Sequence, residues 1–287
     1  MTLYDSAGVV LETDDNGAGD GRTVYLDWSG YNEAVHGDIA SYRVVVGSAP
    51  FADVTGLTAY GTAAAGHFTA TVEGLTKGTT YWFAVVAVDA RDNADPAVTA
   101  VPGIPVDKVP PENVTNLAVS VSENDRLVFT WTHSADTYTD LAGYRVYFGD
   151  ETTAVDSFRA GVNTYERSGL GPASAYLLRI SSFDGDGNAS SGVAAIGYTL
   201  LANPAGLAPQ PYSGYVDLTW NAVTPAEYLK TSRVYVSQGD FVNVTAMAPA
   251  VTTTTAAAKV AGLTNNVPYF FAITAVNKSD GEHKTVA

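Results

Sequence analysis

The sequence contains no cysteine among its 287 residues. This absence excludes a disulfide framework, a thiolate metal site and a cysteine nucleophile. Long apolar runs are also missing, because none approaches the roughly 18 residues that a membrane-spanning helix needs. The N-terminal stretch has no basic segment followed by a long apolar core, so we predict no signal peptide there. We therefore expect no membrane insertion, and any leader would have been removed or would lie upstream.

Basic residues are scarce. The chain has 15 basic and 30 acidic residues and a formal net charge of −15. Such a charge repels the phosphates of nucleic acids and anionic membrane surfaces, so we expect no nucleic acid partner. The composition is 46% hydrophobic and 16% charged, which is typical of globular proteins. The length predicts two or three domains.

Catalytic motifs are lacking as well. The four histidines lie far apart and outside any metal-binding spacing; they are His36, His67, His133 and His283. There is no Gly-x-Ser-x-Gly elbow, P-loop or dinucleotide fingerprint. Acidic pairs suited to glycoside hydrolysis occur only in predicted loops, where nothing fixes their separation. We predict that the chain is not an enzyme and has no catalytic residue and no cofactor.

What the sequence does contain is a repeat. Gly-Leu, five variable residues and a tyrosine precede an alternating apolar run three times. The leucine and tyrosine of the three copies are Leu75 and Tyr81, Leu170 and Tyr176, and Leu263 and Tyr269. The tyrosines lie 95 and 93 residues apart. This period is too long for a solenoid and fits a β-sandwich of about 100 residues.

Two further markers precede each tyrosine. The segments TVYLDW, RLVFTW and YVDLTW end at Trp28, Trp131 and Trp220, and their alternation predicts strands with one buried face. Some 12 to 14 residues later, an Arg-Val pair follows Tyr42, Tyr144 or, in the third copy, Ser232. Turn residues fill the remaining segments, and no convincing amphipathic helix is present. The pattern indicates an all-β protein.

These three markers, in this order, resemble three tandem fibronectin type III domains. In that family the tryptophan packs in the core, and the Leu-x5-Tyr element is a tyrosine corner, whose hydroxyl bonds the backbone across a turn. The resemblance implies three tandem immunoglobulin-like β-sandwiches. It also implies structural roles for nine residues: Trp28, Trp131, Trp220, Tyr81, Tyr176, Tyr269, Leu75, Leu170 and Leu263.

The predicted domain boundaries give a first repeat at 1–106, a second at 107–201 and a third at 202–287. Prolines punctuate the first joint, VPGIPVDKVPPENV, and a shorter joint surrounds Pro204. Because prolines stiffen an extended chain, we expect an elongated array.

Acidic loops raise the question of calcium. Asp184, Asp186 and Asn188 alternate as in the first half of a calcium loop, but Ala189 and Ala195 occupy the positions of its glycine and glutamate. The second interpretation is that these residues form turns. Asp89, Asp184 and Asn277 each lie eight residues after a corner tyrosine, and side chains of this type start turns by hydrogen-bonding to the backbone. We favour turns and expect no metal. The calcium candidates that remain open are Asp89, Asp92, Asp95, Asp184 and Asp186, and the segment with Asp14, Asp15 and Asp20 is also acidic.

The sandwich is a scaffold for many functions, so the resemblance decides little about activity. We predict a non-catalytic extracellular or cell-surface segment, a spacer or adhesion region of a larger bacterial or viral protein. Its partners would be neighbouring domains of a longer chain, with a protein or polysaccharide ligand possible through exposed tyrosines. Two alternatives stay open: a carbohydrate-binding accessory region of a polysaccharide-degrading enzyme, and a component of a virion or tail fibre.

Overall fold

The computed structural model describes residues 21–137 and 139–286. The acidic residues Asp14, Asp15 and Asp20 lie outside this part of the chain, as does Tyr138. Within it, the regular structure consists of 19 strands and two 3-10 helices, Glu33–Val35 and Ala226–Tyr228. The predicted all-β fold of tandem sandwiches is confirmed.

From residue 21 onward, the first repeat contains six strands: β1 (Val24–Asp27), β2 (Ile39–Gly47), β3 (Ala59–Ala64), β4 (Thr69–Val72), β5 (Tyr81–Asp89) and β6 (Val101–Gly103). β1 pairs with β4, and the second sheet has the order β3-β2-β5-β6, all antiparallel. One core cluster contains residues of both sheets, among them Leu26, Val72 and Phe83. Two sheets that share a core form a sandwich.

The second repeat contains seven strands: β7 (Thr115–Ser122), β8 (Arg126–Thr132), β9 (Leu141–Phe148), β10 (Asp156–Arg159), β11 (Thr164–Ser168), β12 (Ala175–Asp184) and β13 (Val193–Tyr198). Its sheets have the orders β11-β8-β7 and β10-β9-β12-β13. Phe129 of the first sheet and Ile180 of the second belong to one core cluster, so the two sheets again enclose a common core.

The third repeat contains six strands: β14 (Ala208–Tyr212), β15 (Tyr215–Thr219), β16 (Leu229–Ser237), β17 (Val251–Thr253), β18 (Ala257–Ala261) and β19 (Phe270–Asn277). The sheets have the orders β14-β15-β18 and β17-β16-β19. Leu218 and Ile273 connect them through the core.

The tryptophan marker lies inside each sandwich. Trp28, Trp131 and Trp220 are 2%, 4% and 7% exposed. Trp28 meets the fully buried ring of Tyr42 edge-on at 5.6 Å, and Trp131 meets Tyr144 at 5.7 Å. Such pairs add stability beyond the area that they bury.

The tyrosine corner forms in all three repeats. The hydroxyl of Tyr81 accepts a hydrogen bond from the Thr76 backbone N–H at 3.0 Å. The equivalent donors to Tyr176 and Tyr269 are the N–H groups of Gly171 at 2.8 Å and Thr264 at 3.1 Å. In each repeat the donor directly follows the marker leucine, which is buried at Leu75 and half-buried at Leu170 and Leu263. The spacing of leucine and tyrosine therefore sets the geometry of this turn.

The chain divides into two compact units. The first compact unit contains Met1–Pro111 together with Asp136–Asp140 and Asp184–Asn188. The second contains Glu112–Ala135, Leu141–Phe183 and Ala189–Ala287, so most of the second repeat and all of the third belong together. The three-domain boundaries drawn from the sequence remain a prediction. Over residues 21–137 and 139–286, no helix has the length and apolar character that crossing a membrane requires.

The joint between the second and third repeats lies inside the second compact unit, and it is packed. Leu201 is 1% exposed and shares a cluster with Val223 and Ala275. The side-chain amide of Asn203 donates to the backbone oxygens of His283 at 3.0 Å and Thr285 at 2.9 Å. This linker is therefore part of the folded structure.

Asn277 also connects the two repeats at this joint. It is fully buried, and its amide nitrogen is 2.9 Å from each of three acceptors: the Ser122 hydroxyl and the carbonyl oxygens of Tyr198 and Thr199. One side chain of the third repeat thus bonds two strand ends of the second.

Candidate functional site

A shared turn follows strands β5, β12 and β19. Asp89, Asp184 and Asn277 occupy the same position, and in each the side-chain oxygen Oδ1 accepts the N–H groups of the residues two and four further on. The distances are 2.8–2.9 Å, and the donors are Arg91 and Asn93, Asp186 and Asn188, and Ser279 and Gly281. These hydrogen bonds are the ones that the turn interpretation describes.

The calcium candidates of the first repeat are exposed or bonded to their own turn. Asp92 pairs with Arg43 at 2.8 Å and its side chain is 82% exposed. The hydrogen bond from the Asn93 side chain, supported by its backbone N–H, lowers the pKa of Asp89. Asp89 and Asp95 line a shallow cavity of about 240 Å³, together with Tyr31, His36, Asp38, Ile39, Ala87, Asn93 and Ala94.

A different set of carboxylates comes together inside the first compact unit. Asp107 lies in the proline-rich segment, Asp140 directly precedes β9, and Asp184 ends β12. One carboxylate oxygen from each lies within 4.8 Å of the others. We call these three residues the aspartate cluster.

Asp107 and Asp184 are buried, Asp140 is half-buried, and the cluster is incompletely hydrogen-bonded. The Asp107 side chain is 0% exposed; its Oδ1 accepts the Val109 N–H at 3.0 Å. Oδ2 of Asp107 and Oδ2 of Asp140 are both buried without a hydrogen-bond partner among residues 21–137 and 139–286. Asp184 is 2% exposed, and its Oδ2 accepts the Asn188 amide at 2.7 Å. When Asp107 and Asp140 are both ionised, two carboxylate oxygens are thus left without a donor.

Burial has the largest effect on the electrostatics of the cluster, and the neighbouring aspartates add to it. Burial, then a hydrogen bond that the protonated Asp140 carboxyl makes with Asp107, and then the negative charge of Asp107 raise the pKa of Asp140 to about 6. The Lys77 ammonium lies 3.9 Å from Asp107 Oδ2, beyond hydrogen-bonding distance, and donates instead to Asp186. That hydrogen bond raises the pKa of Lys77. The lysine reduces the repulsion without completing the hydrogen bonding.

Glu282 in the third repeat shows a buried carboxylate with a full set of partners. Its side chain is 2% exposed and bonds Arg233 at 2.6 Å, Tyr235 at 2.7 Å, Lys284 at 2.8 Å and the Thr274 hydroxyl. Burial alone would raise the pKa of Glu282, but the bonds from Lys284, Thr274 and Tyr235 lower it to about 2. In the ionised aspartate cluster, by contrast, no side chain of the described residues donates a hydrogen bond to Asp107 Oδ2 or Asp140 Oδ2.

The sequence predicted only part of this cluster. Asp184 was a calcium candidate, whereas Asp107 and Asp140 were not. Asp186 pairs with Lys77, and Asp89, Asp92 and Asp95 lie elsewhere. No spacing in the sequence signals the meeting of Asp107, Asp140 and Asp184, because they come from three separate segments that only the tertiary fold brings together.

Repeated all-β sandwiches with a core tryptophan and a tyrosine corner define a class of tandem immunoglobulin-like proteins. Residues 110–195 match the family model of the fibronectin type III domain. The resemblance inferred from the sequence is therefore confirmed, and the chain is built of several tandem fibronectin type III-like domains.

The chain is similar to three bacterial proteins over part of their lengths. It is 31% identical to chitinase A1 of Niallia circulans over 216 residues, which are 71% of this chain and 28% of the relative. It is 32% identical to endoglucanase B of Cellulomonas fimi over 158 residues, 53% of this chain and 15% of the relative. It is 31% identical to exoglucanase B of Cellulomonas fimi over 185 residues, 62% of this chain and 16% of the relative. The chain thus spans less than a third of each relative.

Among solved structures, the crystal structure of the chicken CNTN1 FN1-FN3 domains covers 93% of this chain and 92% of its own chain. The TM-score is 0.42 and the identity 16%, a level that carries no argument about domain arrangement or function.

Proposed function

We propose that this chain is a non-catalytic spacer segment of a bacterial polysaccharide-degrading enzyme that acts outside the cell. The similarity to a chitinase and two glucanases carries the proposal, because it covers 53–71% of this chain but only 15–28% of theirs. A shared segment of that size fits an accessory region better than a catalytic domain. The family match at residues 110–195 supports the same interpretation.

The packed joint of the second compact unit also supports a spacer. A spacer keeps its neighbours apart only if its own joints resist collapse and bending. Leu201 is buried in the joint, and Asn203 and Asn277 hydrogen-bond across it. Such contacts restrict the freedom that a flexible linker would have.

A carbohydrate-binding role is the alternative, and one surface favours it. Tyr212 and Tyr215, on the hairpin of β14 and β15, stack at 4.8 Å with an angle of 15° between their planes. Tyr212 is 51% exposed, and an exposed aromatic ring can stack on a sugar. However, Lys259 also lies 4.1 Å from the ring of Tyr215, so Tyr212 is the more available ring of the pair. A single exposed ring is a small platform, so we favour the spacer.

Sedimentation with insoluble chitin and with cellulose distinguishes the two roles. We expect the purified chain to stay in the supernatant and to release no reducing sugar from either polymer. Retention that Tyr212→Ala abolishes would favour the carbohydrate-binding role. Tyr60→Ala is the matched control, since Tyr60 is 48% exposed on β3 of the first repeat. Release of sugar would contradict the non-catalytic assignment.

Sequencing the coding region on both sides of this segment tests the context. We expect a catalytic domain for a polysaccharide on the same polypeptide. A neighbourhood of virion structural proteins would instead support the tail-fibre alternative.

A further inference from the structure

We propose that Asp107, Asp140 and Asp184 form a binding site for a divalent metal ion, with Ca²⁺ as the favoured occupant. Clustered carboxylates are common on acidic proteins and do not by themselves indicate an ion. The evidence here is the burial of two carboxylate oxygens that have no hydrogen-bond donor when Asp107 and Asp140 are both ionised. The Asp107 side chain is completely buried, and its Oδ2 has no hydrogen-bond partner in the described part of the chain.

A buried carboxylate oxygen without a hydrogen-bond donor destabilises the folded state. A buried carboxylate oxygen that has left water without gaining a partner loses the free energy of its hydration. Asp140 Oδ2 is in the same situation, and the two carboxyl groups repel each other and Asp184. Glu282, buried to a similar degree, is surrounded by Arg233 and Lys284. A bound cation would supply to the aspartate cluster what those side chains supply to Glu282.

The separation of the oxygens suits calcium. Ca²⁺ binds oxygen at about 2.3–2.6 Å, so two ligands on opposite sides of the ion are about 5 Å apart. One oxygen from each aspartate lies within 4.8 Å of the others, and all three can therefore belong to one coordination sphere. Carboxylate is the ligand type that this hard cation prefers, and water can fill the other positions.

The charged groups around the cluster do not replace the ion. Lys77 is the nearest ammonium, but it is 3.9 Å from Asp107 Oδ2 and bonded to Asp186. Asp136 adds a further negative charge near Asp140. The cluster therefore retains a net negative charge, which favours a divalent cation.

Calcium would connect three segments of the first compact unit: the proline-rich segment at Asp107, the loop 136–140 and the turn 184–188. Asn188 already joins two of them, since its amide donates to Asp184 Oδ2 and to the Asp107 carbonyl oxygen at 3.1 Å. An ion at this place would strengthen an existing contact. This inference does not depend on the proposed spacer function.

The repeated turn provides a matched pair of variants. Asn277 makes the same two turn bonds as Asp184, so Asp184→Asn keeps those bonds while it removes the charge and the bond from the Asn188 side chain. Asp89→Asn makes the same change at the equivalent position of the first repeat, outside the aspartate cluster. It loses the equivalent bond from Asn93, so the pair stays matched in this respect. Asp107→Asn removes a second charge of the cluster. Circular dichroism and melting in EDTA verify that each variant is folded.

Calorimetric titration of the chelator-treated chain with CaCl₂ tests the site. We expect one saturable binding event with a dissociation constant of about 10⁻⁴–10⁻³ M, the range of extracellular calcium modules. Asp89→Asn should bind like the wild type, and Asp184→Asn and Asp107→Asn should bind at least about tenfold more weakly, because affinity follows the number of charged ligands. Calcium should raise the melting temperature of the wild type and not that of Asp184→Asn.

Three results would overturn the proposal. The first is the absence of saturation up to about 10 mM calcium, well above the affinity expected for such modules. The second is a folded Asp184→Asn or Asp107→Asn variant with wild-type affinity. The third is equal loss of binding in Asp89→Asn, which would place the ion in the first-repeat turn. If both cluster variants fail to fold, the wild-type titration alone still decides whether a site exists.

Discussion

Replacing Asn277 with aspartate is expected to destabilise the second compact unit by about 2–4 kcal/mol at pH 7. The two hydrogens of the wild-type amide are shared among three acceptors, the Ser122 hydroxyl and the carbonyls of Tyr198 and Thr199. Aspartate has no N–H there, and each lost hydrogen bond costs about 1 kcal/mol. The new oxygen would also face two carbonyl oxygens at a fully buried position, which adds repulsion and an unfavourable desolvation.

Asn277→Asp removes the hydrogen bonds across the joint and leaves those of the turn in place. Asp89 and Asp184 already make the turn hydrogen bonds with a carboxylate, so Asn277→Asp should preserve the turn. Asn277→Ala would lose the bonds to Ser279 and Gly281 as well and should be the more damaging change.

The effect should depend on pH in a defined direction. Burial and the adjacent carbonyls raise the pKa of the introduced aspartate above its unfolded value of about 4. A raised pKa means that the deficit relative to the wild type is smallest below about pH 4 and grows as the pH rises.

Urea unfolding at several pH values and differential scanning calorimetry measure this deficit. For a unit of this size, each kcal/mol lowers the melting temperature by about 2–4 °C. Equal stability of wild type and Asn277→Asp at pH 7, within about 0.5 kcal/mol, would refute the reasoning, as would a deficit that does not change with pH. Asp89→Asn is the control: it loses only the exposed bond from the Asn93 side chain and should cost much less than Asn277→Asp.

The remaining predictions concern single side chains. Tyr81→Phe, Tyr176→Phe and Tyr269→Phe should each lower the stability measured in urea titrations, because each removes one hydroxyl that accepts a backbone N–H. Wild-type stability in all three would contradict the structural role of the corner. Glu282 has a pKa depressed from 4.5 to about 2, so its contribution of about 3 kcal/mol is present above pH 4.5 and lost as the pH falls towards 2. Glu282→Gln should abolish that part of the acid sensitivity.

The fold could be predicted because its determinants are local in sequence. Strand alternation identifies the faces that bury Leu127 and Phe129. The corner is fixed by the five residues between Leu170 and Tyr176, so the repeat reveals it directly. Strand alternation and the Leu-x5-Tyr element are short-range patterns, and their threefold repetition makes them easy to detect.

The aspartate cluster and the packed joint could not be predicted in the same way. Asp107 meets Asp140 and Asp184 through the path of the linker and two loops, and no periodicity describes such a meeting. Asn277 looked like one more turn residue, because its Oδ1 does what Asp89 and Asp184 do. Its amide also donates to the carbonyls of Tyr198 and Thr199, and this depends on how the second and third repeats pack within the second compact unit.

The choice between amide and carboxylate at the shared turn position makes the repeats non-interchangeable. Asn277 has hydrogens to donate to the repeat before it, whereas Asp89 has none and Asp184 directs its carboxylate to the aspartate cluster. If the first repeat stood in third place, the Asp89 carboxylate would lie against the backbone carbonyls of Tyr198 and Thr199, which need a hydrogen-bond donor. The residue at the shared turn position therefore has to match the place of its repeat in the chain. A protein engineered with the repeats in another order would also need Asp89, Asp184 and Asn277 to be exchanged accordingly.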